Sequence, residues 1–156
     1  MHLSRTLPYA VKHPSIIHMP LYQHDVHFTL DEARELLPWL REKVARICEI
    51  FSDLADRGFD VLQGKWTPRG NGQSSGPPPE GYDEFIELVG ELDRRGVIIK
   101  EFSKGVVDFP HIRPNGEEVY LCWSLHEPTV AYWHRIPEGF IGRIPVEENP
   151  PGGNPS

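Results

Sequence analysis

The chain has 156 residues, a length that favours one domain with tails and allows a hydrophobic core without disulfides. Its 23 acidic and 16 basic side chains give a net charge of −7, and the basic residues are scattered along the chain. This balance argues against nucleic acid as a partner, because binding to phosphates requires clustered positive charge. No apolar run is long enough to span a membrane and the first residues lack a secretory signal, so the sequence predicts a cytoplasmic protein.

The two ends of the chain differ in composition from its middle. Residues 1–27 hold five of the eight histidines without a sustained hydrophobic period, which predicts a poorly ordered N-terminal extension. Residues 147–156 have the sequence EENPPGGNPS, which can bury little apolar surface and predicts a disordered tail. A single domain is therefore expected over residues 28–146.

A long amphipathic helix is predicted over residues 30–57. Thr29 and Glu32 have the spacing of a capping box, and Gly58 is a suitable stop. Pro38 removes a backbone donor within this segment and predicts a kink. The apolar positions recur at alternating steps of three and four residues, a heptad pattern typical of coiled coils. They are Leu30, Ala33, Leu37, Leu40, Val44, Ile47, Phe51 and Leu54.

A second helix is predicted over residues 80–95, ahead of a glycine at 96 that suits a left-handed C-cap. Residues 59–81 contain GNGQSSGPPPEG, which predicts a flexible or polyproline-like connector between the helices. Two amphipathic helices joined by a loop are expected to pack as an antiparallel hairpin. The heptad pattern also predicts a homodimer through residues 28–57, because a second copy would complete a four-helix bundle.

Beyond the second helix the hydrophobic period changes from about 3.6 to about 2, which indicates β-strands. Helices followed by consecutive strands predict an α+β fold, in which the helical hairpin packs on a small C-terminal antiparallel β-meander. The predicted strands span residues 97–101, 106–109, 118–125 and 130–134.

Several short motifs occur in a fixed order along this region. They are FTLDEARELLPWL at 28–40, VDFP at 107–110, LCW at 121–123, a glutamate at 127, YWH at 132–134 and GFIGR at 139–143. Together they resemble the prokaryotic family named domain of unknown function 2203, over residues 28–146. The resemblance implies domain boundaries and marked positions, but it implies no reaction because the family is uncharacterised.

Alternation along the predicted strands divides their side chains between two faces. One face is apolar and is expected to pack on the helices, with Val107, Phe109, Val119, Leu121, Trp123, Ala131 and Trp133. The other face carries Asp108, Tyr120, Cys122, Ser124, Tyr132 and His134. The simplest interpretation of this second face is a solvated sheet surface, and the alternative is a polar site.

The alternative has two chemical forms. Asp108, Glu127 and His134 offer oxygen and nitrogen ligands suited to a divalent metal such as Zn, Fe or Mn, although none lies at a diagnostic spacing. Cys122 with His134 as its base would instead give a Cys–His nucleophile. A strand cysteine is more often a small buried hydrophobe, and sequence does not give the register that would bring these groups together.

Arg143, in a glycine-punctuated loop, has two predicted roles. Its guanidinium could bind a ligand carboxylate or phosphate, or pair with Asp108 or Glu127 as a structural clamp. Two functions follow from the sequence: an interaction or scaffold module that self-associates, or a metal- or small-ligand-binding domain. The second would place its site around Asp108, Glu127, His134 and Arg143. The sequence does not decide whether the domain is an enzyme.

Overall fold

The computed structural model describes residues 21–68 and 76–147. The strands after the second helix form one antiparallel sheet in chain order, and a separate two-stranded hairpin follows the first helix. The predicted α+β fold, two helices with a C-terminal antiparallel sheet, is confirmed. The elements are α1 (Leu30–Asp56), β1 (Phe59–Asp60), β2 (Lys65–Trp66), α2 (Tyr82–Arg95), β3 (Ile98–Glu101), β4 (Val106–Ile112), β5 (Glu118–Ser124), β6 (Tyr132–Arg135), a short 3-10 helix (Phe140–Gly142) and β7 (Ile144–Pro145).

α1 begins at the predicted capping box. The Thr29 hydroxyl accepts a hydrogen bond from the Glu32 N–H at 3.0 Å, and the Glu32 carboxylate accepts one from the Thr29 N–H at 2.9 Å. These two bonds satisfy backbone donors that the first helical turn leaves open. The helix is continuous through Pro38, which lies on its exposed side, where solvent reaches the interrupted backbone ladder.

The heptad seam of α1 is covered within the protomer. It belongs to one hydrophobic core with α2 and the apolar face of the sheet, hereafter the inner face. The homodimer through residues 28–57 stays a prediction, and a monomer at all concentrations in analytical ultracentrifugation would contradict it. Within the described residues, neither helix is long and apolar enough to cross a membrane. The α1 side chains buried in this core, at most 4% exposed, are Ala33, Leu37, Leu40, Val44, Ile47, Ile50 and Leu54.

The predicted flexible connector begins as a β-hairpin. Phe59 of β1 pairs with Trp66 of β2, and its ring also packs edge-on against Tyr82 at a centroid distance of 4.9 Å. Phe59 is 3% exposed, so this hairpin contributes to the core. The prediction of a flexible connector is wrong for residues 59–66 for this reason, while residues 69–75 lie outside the described part of the chain.

β4 is longer than predicted because it continues through Pro110 to Ile112. Proline cannot donate a ladder hydrogen bond, so it is tolerated where no strand needs that donor. The pairing of β3 with β4 ends at Ile98 opposite Asp108, before Pro110 is reached. The Pro110 carbonyl instead accepts a hydrogen bond from the Phe28 N–H at 2.7 Å.

The last part of the predicted extension lies against β5. We call residues 21–27 the N-terminal strap. The backbone N–H groups of Gln23 and His24 donate to the carboxylate of Glu118 at 2.7 and 3.0 Å, and His27 Nε2 lies 2.8 Å from the same carboxylate. The structure therefore attaches this segment to the sheet. The predictions for residues 1–20 and 148–156 fall outside the described residues.

Candidate functional site

The face of the sheet opposite the inner face carries polar side chains that are nevertheless buried. Asp108 is 1% exposed, His134 is 2% exposed, and Cys122 is fully buried. The interpretation of this outer face as a solvated sheet surface is therefore wrong. Burial of an acid and a histidine costs free energy unless both are paired. The groups in contact with them therefore determine the chemistry available on this face.

Two segments cover the outer face from opposite ends. At one end the N-terminal strap places His24 Nε2 2.7 Å from the hydroxyl of Tyr120. At the other end the chain beyond β6 brings Phe140 alongside the buried residues before β7 pairs with β6. The alternation of apolar and polar residues cannot predict that these segments lie over the outer face, because neither segment has the hydrophobic period of a strand or a helix.

Strand register brings three donor groups together. Asp108 in β4 is opposite Cys122 in β5, while Tyr120, the next residue of β5 on the same face, is opposite His134 in β6. One donor atom from each of Asp108, Cys122 and His134 lies within 4.8 Å of the other two. We call these three residues the donor cluster. Their shared face follows from alternation, but their convergence depends on the register.

The ring of His134 has a fixed orientation. Its Nδ1–H donates to the carbonyl oxygen of Arg135 at 2.8 Å, and its Nε2 lies 3.1 Å from each carboxylate oxygen of Asp108. In a neutral ring with the proton on Nδ1, Nε2 presents a lone pair to a carboxylate, which is repulsive. Either a second ring proton or a metal cation removes this repulsion. Histidines that bind metals commonly hold the other ring nitrogen in this way.

The protonation of the donor cluster follows from its surroundings. Burial by itself lowers the pKa of His134, but hydrogen bonds to Asp108 and to the Arg135 backbone outweigh it and raise the pKa overall. Burial raises the pKa of the Cys122 thiol strongly, and the neighbouring Asp108 raises it further. The thiol is therefore neutral when no cation is bound, which argues against a Cys–His nucleophile because the thiolate is the reactive form.

Glu127 and Arg143 form an ion pair beside the donor cluster. Glu127 accepts hydrogen bonds from the Ser124 N–H at 3.0 Å and from Arg143 Nη2 at 2.5 Å. The Arg143 guanidinium lies between the rings of Tyr132 and Phe140, with its central carbon 3.9 and 4.2 Å from their centroids. Of the four predicted site residues, Asp108 and His134 therefore meet directly. Glu127 and Arg143 instead clamp the closing loop.

An open cavity of about 410 Å³ lies over the donor cluster. Val106 and Phe140 line it with apolar surface, and Lys100 and Lys104 line it with basic side chains. The Lys100 ammonium lies 3.8 Å from an Asp108 oxygen. The volume falls within the range of small-molecule sites, so the cluster is accessible to a ligand although its side chains are buried.

Comparison with known protein families gives a match to this chain. The family model described as "Uncharacterized conserved protein (DUF2203)" matches residues 27–146, well over half of the chain. The chain belongs to this family. The predicted family resemblance is thereby confirmed, and the whole donor cluster lies within the matched region. No curated protein and no solved structure matches the chain.

Two residues of this DUF2203 domain were absent from the predicted ligand set. Cys122 was considered as a nucleophile rather than a ligand, although alternation already placed it on the face of Asp108 and His134. Lys100 was not considered, because a lysine on a predicted strand is ordinarily a solvated residue. In β3 it is Ile98 that lies opposite Asp108, and Lys100 falls at the irregularity between Ile99 and Glu101, which no sequence pattern marks.

Proposed function

We propose that this domain binds a divalent transition metal ion through Asp108, Cys122 and His134. The observation that carries the proposal is the convergence of one oxygen, one sulfur and one nitrogen donor, within 4.8 Å of one another, in residues that are at most 2% exposed. Thiolate and imidazole favour zinc or iron over manganese, calcium or magnesium, which prefer oxygen ligands. A bound cation would also lower the thiol pKa enough to deprotonate Cys122.

Three protein ligands are one fewer than a closed tetrahedral site requires. The cavity above the donor cluster leaves room for an exchangeable ligand at the fourth position. This arrangement is typical of zinc sites that bind or activate a small molecule, whereas purely structural sites use four protein ligands. The hydrogen bond from His134 to the Arg135 carbonyl supports the proposal because it directs Nε2 into the cluster.

The competing interpretation is a buried ion pair between protonated His134 and Asp108. It accounts for the 3.1 Å distances, and it leaves Cys122 as a neutral thiol hydrogen-bonded to Asp108. The two interpretations therefore differ in what the cysteine contributes. Substitution of Cys122 would leave the ion pair intact but would remove the sulfur ligand of a metal ion.

Elemental analysis of protein purified without a histidine tag, after exposure to zinc or iron(II) and gel filtration, tests the proposal. We expect stoichiometric metal in the wild type and its loss in Cys122→Ser and His134→Ala. The matched controls are Cys48→Ser and His126→Ala, which lie outside the donor cluster and are expected to keep the metal. Metal held adventitiously by the N-terminal histidines would survive all four substitutions. That result, or wild-type protein without stoichiometric metal, would refute the proposal.

A further inference from the structure

We propose that the open coordination position accepts a small oxyanion, the carboxylate or phosphate group of a small molecule, held jointly by the metal ion and Lys100. This inference rests on the proposed metal site and names the class of its ligand. It is carried by the position of Lys100, the charges around the cavity and the size of the cavity.

Lys100 stands beside the donor cluster without belonging to it. Its ammonium lies 3.8 Å from an Asp108 oxygen and 4.8 Å from the centroid of the Tyr120 ring. The lysine side chain is 43% exposed, whereas the Asp108 side chain is 2% exposed, so the ammonium lies between the cluster and solvent. This is the position from which a second cationic group can contact a ligand bound to a metal ion on Asp108.

In the metal-bound state the donor cluster would offer Lys100 no full counter-charge. The carboxylate of Asp108 and the thiolate of Cys122 together cancel the double charge of the metal ion. Asp108 would then be committed to the metal ion, and the ammonium would lie beside a cluster without net negative charge. An anion at the fourth position restores the balance and accepts a charge-assisted hydrogen bond from Lys100.

The other carboxylates that line the cavity are placed differently. Glu101 accepts hydrogen bonds from the Ser103 hydroxyl at 2.5 Å and from the Lys104 N–H at 2.6 Å, so it stabilises its own turn. Glu138 is exposed at the rim, where its carboxylate lies against Gly142. Glu101 is committed to its own turn and Glu138 is exposed to solvent, so an external anion is the better partner for Lys100 and the metal ion.

The cavity has room for more than the oxyanion. Its volume of about 410 Å³ matches sites for small organic ligands. Val106 is buried on one side, and the ring of Phe140 lines another. These apolar walls favour an organic acid or organic phosphate with a short apolar part over a bare inorganic ion.

Cobalt(II)-loaded protein tests this inference, because its visible absorption responds to a change in the ligands of the metal ion. The probes are acetate, hexanoate and inorganic phosphate, titrated at constant ionic strength. We expect a saturable spectral change with at least one oxyanion, and tighter binding of hexanoate than of acetate. Preference for phosphate over acetate would assign the head group as phosphate, and the reverse would assign it as carboxylate.

Lysine variants test the second contact. Lys100→Ala and Lys100→Gln are expected to weaken the binding of the preferred oxyanion about tenfold, the loss of one charge-assisted hydrogen bond. Lys65→Ala, in the separate β1–β2 hairpin, is the matched control and is expected to bind as the wild type does. Equal affinity in the wild type and both Lys100 variants would overturn the role of Lys100.

Elemental analysis of the same samples separates the two proposals. Protein that retains no cobalt would refute the metal site itself. Protein that retains stoichiometric cobalt, but shows no spectral response to any of the three probes, would overturn the oxyanion inference and leave the metal site standing. Equal affinity for hexanoate and acetate would overturn the apolar part of the ligand.

Discussion

The two faces of the five-stranded sheet are both buried, but by different means. The inner face, with Phe109 and Trp123 fully buried, packs on two helices and gains the free energy of removing apolar surface from water. The outer face buries Asp108, Cys122 and His134 beneath two short segments. Burial of such groups costs free energy unless each is paired. The inner face therefore stabilises the fold, whereas the outer face depends on that stability to keep its polar side chains buried.

The largest expected effect concerns the inner face. Phe109→Ala removes a fully buried ring and is expected to lower the free energy of unfolding by about 3–5 kcal/mol, because the cavity left behind is only partly filled by its neighbours. Urea denaturation measures this loss. Ile86→Ala, at a half-exposed position of α2, is the control and is expected to change stability by no more than about 0.5 kcal/mol. Equal losses at the two positions would contradict the described core.

The next effect concerns the outer face. Zinc at about one hundred times its dissociation constant is expected to raise the free energy of unfolding by about 2.7 kcal/mol, because only the folded protein assembles the donor cluster. Parallel urea denaturation in zinc-buffered and chelator-treated samples measures the increment. Cys122→Ser is expected to lose it and Cys48→Ser to keep it. The same increment in both variants would show that zinc acts elsewhere.

The clamp over the outer face is expected to contribute less. Arg143→Met removes the ion pair with Glu127 and the contacts of the guanidinium with two rings, and is expected to cost about 2 kcal/mol. Arg143→Lys keeps the charge but lacks the planar group that lies between Tyr132 and Phe140, so it should recover only part of this loss. Thermal denaturation compares the variants, and full recovery in the lysine variant would assign the effect to charge alone.

The smallest effect concerns the N-terminal strap. Burial raises the pKa of Glu118, but hydrogen bonds from Gln23, His27 and His24 outweigh it, so the pKa lies below its usual value of 4.5. A carboxyl group with a depressed pKa in the folded state adds stability above its unfolded pKa and loses it as the pH falls through the folded pKa.

Glu118→Gln is therefore expected to cost about 1 kcal/mol at neutral pH and progressively less below pH 4.5. Urea denaturation across this pH range measures the difference between variant and wild type. Glu42→Gln, on the exposed side of α1, is the matched control. A difference at Glu118 that stays constant with pH would mean that the carboxylate charge does not hold the strap.

The helices and strands followed from sequence where a local pattern determined them. α1 was predicted over 30–57 and spans Leu30–Asp56, because its capping box and apolar period act within a few turns. The last long strand was predicted over 130–134 but spans Tyr132–Arg135. The carbonyl of Val130 instead accepts two hydrogen bonds from Arg34, a contact 96 residues apart in the chain. Local patterns cannot reveal a contact of this kind.

The candidate site was likewise predictable only where a local pattern determined it. Alternation placed Asp108, Cys122 and His134 on one face, but only register showed that Asp108 and His134 are in contact. Glu127 was chosen as a ligand for its chemistry, whereas its turn directs it to Arg143 and to the Ser124 backbone. The depth of burial was not predictable, because it depends on two covering segments that have no period of their own.

Most of the N-terminal strap lies outside the region that the family model matches. The family match begins at residue 27, so the donor cluster lies inside it while residues 21–26 lie outside. The strap contacts Tyr120, and the Tyr120 ring in turn lies against Lys100 and His134. Exchange of this short segment would therefore alter the packing of Tyr120 without altering any donor atom. Part of the cover over the outer face thus comes from residues outside the family match.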